Sequence, residues 1–324
     1  MDAKITKDRL SRMLSYDWIK IIALALGAIF FWNLIFTVTA TRILPSQQFV
    51  VINYLGNNPL DDLSFLSDVA KEDVFSQEVL EISQVDAPFA GSSGGILLEA
   101  RLATNEGDAI FVPPTEDPNA AYEQDGETHY ETYREKLLRL YGYILYDLDP
   151  NSETGYFKSM EKYLNQYYGG DWENGALNED AVEKDFRDRI AENKDKRFRK
   201  KDEIEQGVRD EIARIQKYRD GLEEFYGYFA QGLVKFEKET AHNLADGSVL
   251  FEGTYYLNIC PDTNTMGRLK EAFSYSVEME NGTDWLKTAE NMCVAFIQFE
   301  DEGTHAEYEN LLFVNYLISR YKTV

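Results

Sequence analysis

Two cysteines and three histidines are all the soft metal ligands in 324 residues, and neither CxxC nor HExxH occurs. That excludes a zinc site of ordinary spacing, since such sites draw their ligands from closely spaced Cys and His. Cation is scarce too, with 33 Lys and Arg against 57 Asp and Glu, for a net charge of −24. A surface of that sign repels nucleic acid and anionic headgroups, so nucleic-acid binding is not expected. No signature of a cofactor site is found, and no cofactor is expected. Proline is sparse at eight, and long apolar runs are absent except for one.

That one run is Ile21 to Ala40, IIALALGAIFFWNLIFTVTA. At about 1.5 Å per residue, twenty helical residues reach about 30 Å, the thickness of a bilayer's hydrocarbon core. The head before it carries Lys4, Lys7, Arg9, Arg12 and Lys20 against Asp2, Asp8 and Asp17. By the positive-inside rule, residues 1–20 are expected in the cytoplasm and residues 43–324 outside a plasma membrane spanned by residues 21–40. Val38-Thr39-Ala40 also has the small-x-small pattern of a signal-peptide cleavage site, but the run is longer than an ordinary signal core. The first 42 residues contribute +3, leaving close to −27 on the remainder.

Past the anchor, Gln48 to Tyr54 reads as a strand, Asp61 to Ala70 as a short helix and Val79 to Val85 as a second strand. GSSGG (Gly91 to Gly95) reads as a turn that opens a helix, and Ala109 to Val112 as a third strand stopped by Pro113 and Pro114. Strand and helix alternate, which implies an α/β class, with α+β as its variant, built on a mostly parallel sheet. From Tyr122 to about Asp246 the sequence turns to long charged helical segments. Ile204, Val208, Ile212, Ile215, Leu222, Phe225 and Phe229 recur at helical spacing. Residues 121–246 are therefore expected to be a helical layer or insertion between a first α/β part (43–120) and a second (247–324). In it Lys194, Lys196, Arg197, Arg199, Lys200 and Lys201 form a basic run, read as a solvated, salt-bridged helix face. Leu250 to Cys260 and Cys293 to Phe299 read as strands, a helix is expected from Thr265, and Glu307 to Tyr321 reads as a closing amphipathic helix.

QFVVINY, a helix, VLEISQVD and ILLEARLATNEGDAIFV together resemble the first lobe of an extracytoplasmic solute-binding protein. The likeness spans Gln48 to Val112 and includes a helix ending in a turn, here Gly107-Asp108, that feeds the short strand AIFV. SYDWIKIIALALGAIFFW and YYGGDWENG are similar to single-pass membrane proteins of anaerobic Gram-positive bacteria, a likeness that implies no activity. The chain departs from the binding-protein pattern in carrying a helical anchor where a lipidated cysteine is usual.

In such sheets a ligand sits beyond the carboxyl ends of the strands. Asn53 and Tyr54 after the first strand are therefore binding candidates, as are Ser92 and Ser93 at a helix start, where free N–H groups favour anions or carbonyls. Tyr54 reads equally as a core aromatic and either serine as an N-cap. An enzymatic reading also exists. Gly91-Ser92-Ser93-Gly94-Gly95 fits GxSxG, and Asp262 and His305 follow in the order of an α/β-hydrolase, giving Ser93 as nucleophile, His305 as base and Asp262 as orienting acid. Only two strands precede that serine and no HGGG-like segment lies upstream, so a non-enzymatic binding, sensing or accessory role at the cell surface is the expectation. A structural module docking to another membrane protein is the remaining alternative, and a small solute the remaining partner. Asp147, Asp149, Asn151 and Glu153 alternate as in a calcium loop, but Ser152 and Lys158 stand where a glycine and a glutamate are needed, so no metal is expected. Cys260 and Cys293 either close a loop of about 33 residues, worth about 3 to 4 kcal/mol, or remain buried thiols.

Overall fold

The computed structural model describes residues 7–39, 47–54, 68–69, 72–86, 92–104, 106–124, 127–193, 195–278, 285–298 and 305–323. The chain divides into two compact units, residues 1–43 and 44–324. The first contains helix α1 (Lys7–Thr39), whose segment Trp18–Phe36 has a mean hydropathy of 2.2 and buries nothing within the chain. It is long and apolar enough to cross a membrane.

The second unit is mixed α/β, around a sheet of six strands. β1 (Gln48–Asn53) lies between β2 (Glu81–Asp86) and β3 (Ala109–Val112), and both pairings are parallel. The helix α2 (Ser92–Ala103) is the crossover from β2 to β3. Beyond β3 the direction reverses. β6 (Lys235–His242), β7 (Val249–Asn258) and β10 (Cys293–Phe296) complete the order β2-β1-β3-β10-β7-β6 through antiparallel pairings only. The expected mostly parallel sheet is thus a mixed one. Composition could not separate the cases, because β3 and β10 are buried on both sides and read as the same continuous apolar run.

Alternation along each strand sorts the core into two layers. Phe49, Val51, Ala109, Phe111, Val294 and Phe296 face one side, and Val50, Ile52, Ile110, Val112, Cys293 and Ala295 face the other. The first face is covered by α4 (Tyr156–Tyr167), α6 (Lys201–Ala230) and α8 (Glu309–Tyr321), through Phe157, Met160, Ile215, Leu222, Phe225, Phe313 and Leu317. Phe111 stacks on Phe273 at 3.8 Å and Phe49 sits 5.1 Å from Phe313. The second face takes Leu98 and Leu102 of α2 with Leu137, Leu138 and Tyr141 of α3 (Tyr133–Tyr141). A capping box starts α3: Glu135 N donates to Thr132 Oγ1 at 3.1 Å, and Thr132 N to Glu135 Oε2 at 2.6 Å.

The stretch expected to be helical contains strands as well. β4 (Glu116–Gln124) and β5 (Glu127–Thr132) pair as an antiparallel hairpin, and β6 lies at the far end of the range. EDPNAAYEQ carries no alternating pattern, which hid β4. The Asp125-Gly126 dipeptide between the two strands was the available signal. The helices of this range, α4, α5 (Glu179–Glu192) and α6, contribute Phe157, Leu164, Val182 and Ile215 to the same core as the sheet. The expected helix 61–70 falls outside the described residues apart from Asp68 and Val69. The helix expected from Thr265 is a single turn, α7 (Thr263–Met266), followed by a 3-10 segment Gly267–Glu271. β8 (Tyr275–Glu278) and β9 (Trp285–Thr288) make a small separate ribbon.

The disulfide expected as one alternative is not formed. Cys260 and Cys293 are free thiols packed on opposite faces of the sheet, so their sulfurs face different layers.

Candidate functional site

The residues singled out in the sequence are scattered through this fold. Asn53 ends β1 at 2 % exposure, and Tyr54 follows it at 4 %, its N–H donating to Phe111 O at 2.8 Å and its ring set edge-on to Tyr133 at 6.4 Å. Burial pushes the Tyr54 hydroxyl's pKa far up, so it is a core phenol. Ser92 and Ser93 stand at the start of α2; their side chains lie outside the described residues. Asp262 is the N-cap of α7, its Oδ1 accepting from Asn264 N at 2.9 Å. His305 Nδ1 lies 3.1 Å from Glu307 Oε1, so the acid that orients this imidazole is Glu307, not Asp262. The helix that carries Ser93 packs on the second face of the sheet, whereas the His305 ring lies tilted against Tyr163 of the first, 4.2 Å between centroids. No described contact joins the three residues of the hydrolase reading.

The calcium-like segment is a run of turns. Asp149 N donates to Asp147 Oδ1 at 2.9 Å and Asn151 N to Asp149 Oδ1 at 2.8 Å, which leads the chain into α4. Among the described residues no group of three or more His, Cys, Asp or Glu is placed to hold a metal ion. Three residues of the basic run are tied down: Lys200 pairs with Glu203 at 2.8 Å, Lys201 with Glu205 at 3.5 Å and Arg197 with Asp195 and Glu78.

What the structure does assemble is a cleft of about 440 Å³ where α4, α5, α6 and the start of the last helical segment meet. Tyr163 and Tyr167 come from α4, Asp185, Asp188 and Arg189 from α5, Glu211 from α6, and His305 from the turn before α8. Behind the cleft runs a chain of buried charge. Arg189 Nη2 reaches Glu211 Oε2 at 2.9 Å and Glu78 Oε1 at 3.4 Å, and Arg197 Nη2 reaches Glu78 Oε2 at 2.9 Å. Glu211 also binds Arg214, which is 1 % exposed and lies over the Tyr218 ring at 5.4 Å. Tyr218 Oη donates to Glu309 Oε1 at 2.7 Å, and Glu309 also accepts from Ser76 N at 3.1 Å and from the Ser76 hydroxyl.

The protonation states follow from these partners. Burial opposes ionisation of Glu211, but Arg214 and Arg189 outweigh it and hold the carboxyl below its ordinary value. Burial raises the pKa of Glu309 against the pull of the Ser76 and Tyr218 donors and of the Arg214 charge. One donor in the cleft wall is left over. Arg189 Nη1 is buried and has no hydrogen-bond partner among the described residues, while Nη2 of the same guanidinium holds two glutamates. Among the described residues, exposed Asp185 and Asp188 are ion-paired only with Lys184, at 3.8 and 3.6 Å. His305 holds the left-handed conformation (φ 54°), and the turn is pinned by Tyr156 Oη, which donates to Glu307 O at 2.9 Å.

Sequence reasoning missed Glu78, Arg189, Glu211, Arg214 and Glu309. A signal existed for one of them: Glu211 sits on the apolar stripe of α6, three residues after Val208 and four before Ile215. A charge at core spacing asks for a buried partner. Comparison of the chain with protein-family models, curated proteins and solved structures returned no match.

Proposed function

We propose that the protein is a membrane-anchored, extracytoplasmic binding or sensing domain whose site is the cleft between α4, α5 and α6. It takes a small polar solute that carries both a hydrogen-bond acceptor and an amine, as amino acids and short peptides do. The observation that carries this reading is Arg189, a residue of the cleft lining: its guanidinium is fixed by Glu78 and Glu211, yet Nη1 has no partner among the described residues. A buried donor left unmade costs about 1 to 3 kcal/mol, a cost that a ligand carboxylate or carbonyl removes. Asp185 and Asp188, on the same wall, suit the ammonium.

The anchor sets the context of this function. With the N-terminus in the cytoplasm, as the basic head favours, residues 43–324 meet solutes outside, and a tethered domain presents what it binds to a neighbour in the membrane. Full-length protein in lipid nanodiscs, screened by thermal shift against amino acids, peptides and sugars, tests the reading. A ligand at a hundred times its Kd adds about 2.7 kcal/mol. Asp185→Asn/Asp188→Asn should abolish the shift while leaving the ligand-free melting temperature in place. A library without effect, or a shift that survives in the double variant, overturns the assignment.

A further inference from the structure

The segment Trp18–Phe36 of α1 buries nothing against the described residues, so in a bilayer each of its faces meets lipid or another helix. Apart from Lys20 near its start, which reaches the headgroups, Asn33 is the one side chain in it that carries an amide or a charge, and it is exposed. Asn33 lies six residues past Gly27, the midpoint of the segment. That is about 9 Å, inside the half-thickness of about 15 Å of a hydrocarbon core. An amide offers two N–H donors and an oxygen acceptor, more hydrogen-bonding capacity than one turn of a single helix uses. Lipid tails return none of it.

The residues around Asn33 are placed for a helix partner. Ile19, Ala23, Leu26, Phe30 and Asn33 follow one another at spacings of four, three, four and three, the seam pattern of two helices packed side by side. At about 100° per residue they fall within an arc of about 80° on one side of α1. Gly27 borders that arc, and no described atom lies within 4 Å of the position its Cβ would take, so a second backbone can come close there. Ile21, Ala28 and Trp32 lie on the opposite side and are left to lipid.

The amide also selects the partner. Because Asn33 is donor and acceptor at once, an identical helix related by a two-fold axis returns both bonds, each Nδ2 donating to the other copy's Oδ1. The seam carries no charge, so two copies bring no repulsion to it.

We propose that α1 pairs with the α1 of a second copy of this chain along Ile19, Ala23, Leu26, Phe30 and Asn33, making the protein a dimer in its membrane. The proposal rests on the membrane-anchored reading above and is independent of the cleft.

Energy transfer between full-length copies carrying donor or acceptor dye on an added C-terminal tag, reconstituted at increasing dilution in phosphatidylcholine vesicles, tests it. Transfer above that of randomly spaced chains is expected. Asn33→Leu should lower the association constant by about three- to tenfold, as loss of an interhelical amide bond does. Asn33→Gln, which keeps the amide, should retain most of the pairing, and Ala28→Leu on the opposite side should leave it unchanged. A chain that alkaline carbonate strips from the vesicles would remove the anchor and this proposal with it. A chain that stays inserted but shows only random transfer, pairs as well with Leu at 33, or loses as much with Leu at 28 overturns the pairing alone.

Discussion

Asp108 offers the sharpest test of the sheet's electrostatics. Its carboxylate Oδ2 accepts from Val50 N at 2.7 Å, one residue before the β1–β3 pairing begins at Val51 and Ala109. Its own backbone binds both sides of the sheet, through Asp108 N to Val50 O at 2.9 Å and Ile297 N to Asp108 O at 2.9 Å. Burial raises the carboxyl from 3.8 to about 7, against the pull of the Val50 N–H. An acid raised on folding favours the folded state while it is protonated, and that advantage disappears as pH climbs from about 4 through about 7. A shift of about three units corresponds to about 4 kcal/mol; because Asp108 keeps part of its surface open, about 2 kcal/mol is the working figure. Asp108→Asn keeps the acceptor for Val50 and removes the titration. The variant should match the wild type near pH 4 and exceed it by pH 8, by roughly 4 to 8 °C in melting temperature for a unit of this size. Because every other group cancels in the difference between the two proteins, thermal melts of both from pH 4 to pH 8 suffice. A difference that stays constant across that range would refute the argument that this carboxyl is forced to ionise in a dry site.

The neighbouring Gly107 has φ +141°, and a Cβ there would lie 2.8 Å from Ile52 Cδ1 and 2.9 Å from Ile297 Cδ1. Gly107→Ala should therefore cost about 2 to 4 kcal/mol by chemical denaturation, and a loss under about 0.5 would show that the turn relaxes freely. Arg214→Leu should destabilise by about 3 to 5 kcal/mol, because Glu211 stays behind in the core with only Arg189 to meet it; an unchanged midpoint would remove the buried network from the stability account. Burial pushes both the Cys260 and Cys293 thiols up to about 12, so neither should react with a thiol reagent at pH 8 before unfolding, and reductant should not move the melting temperature. Rapid labelling of native protein would contradict the packing of both residues.

The sequence alone determined the parts governed by local rules. An apolar run the length of a bilayer core, the doubly buried strands QFVVIN, AIFV and CVAF, and the stripe Val208, Ile215, Leu222, Phe225 on α6 each follow from burial acting at a fixed period along one element. The Gly107-Asp108 turn was equally legible as a motif, although its reason, a backbone amide of β1 needing an acceptor, was not. Strand direction, the hairpin after Pro114 and the placing of the two thiols on opposite faces were left to the tertiary structure. These depend on which strand lies beside which, and apolar runs carry no label for their neighbours. The cleft is the extreme case, because Glu78, Arg189, Arg197, Glu211 and Arg214 are up to 136 positions apart and each reads singly as a surface charge. Only packing, by removing water from all of them together, turns those charges into partners and leaves one Arg189 donor without a partner among the described residues.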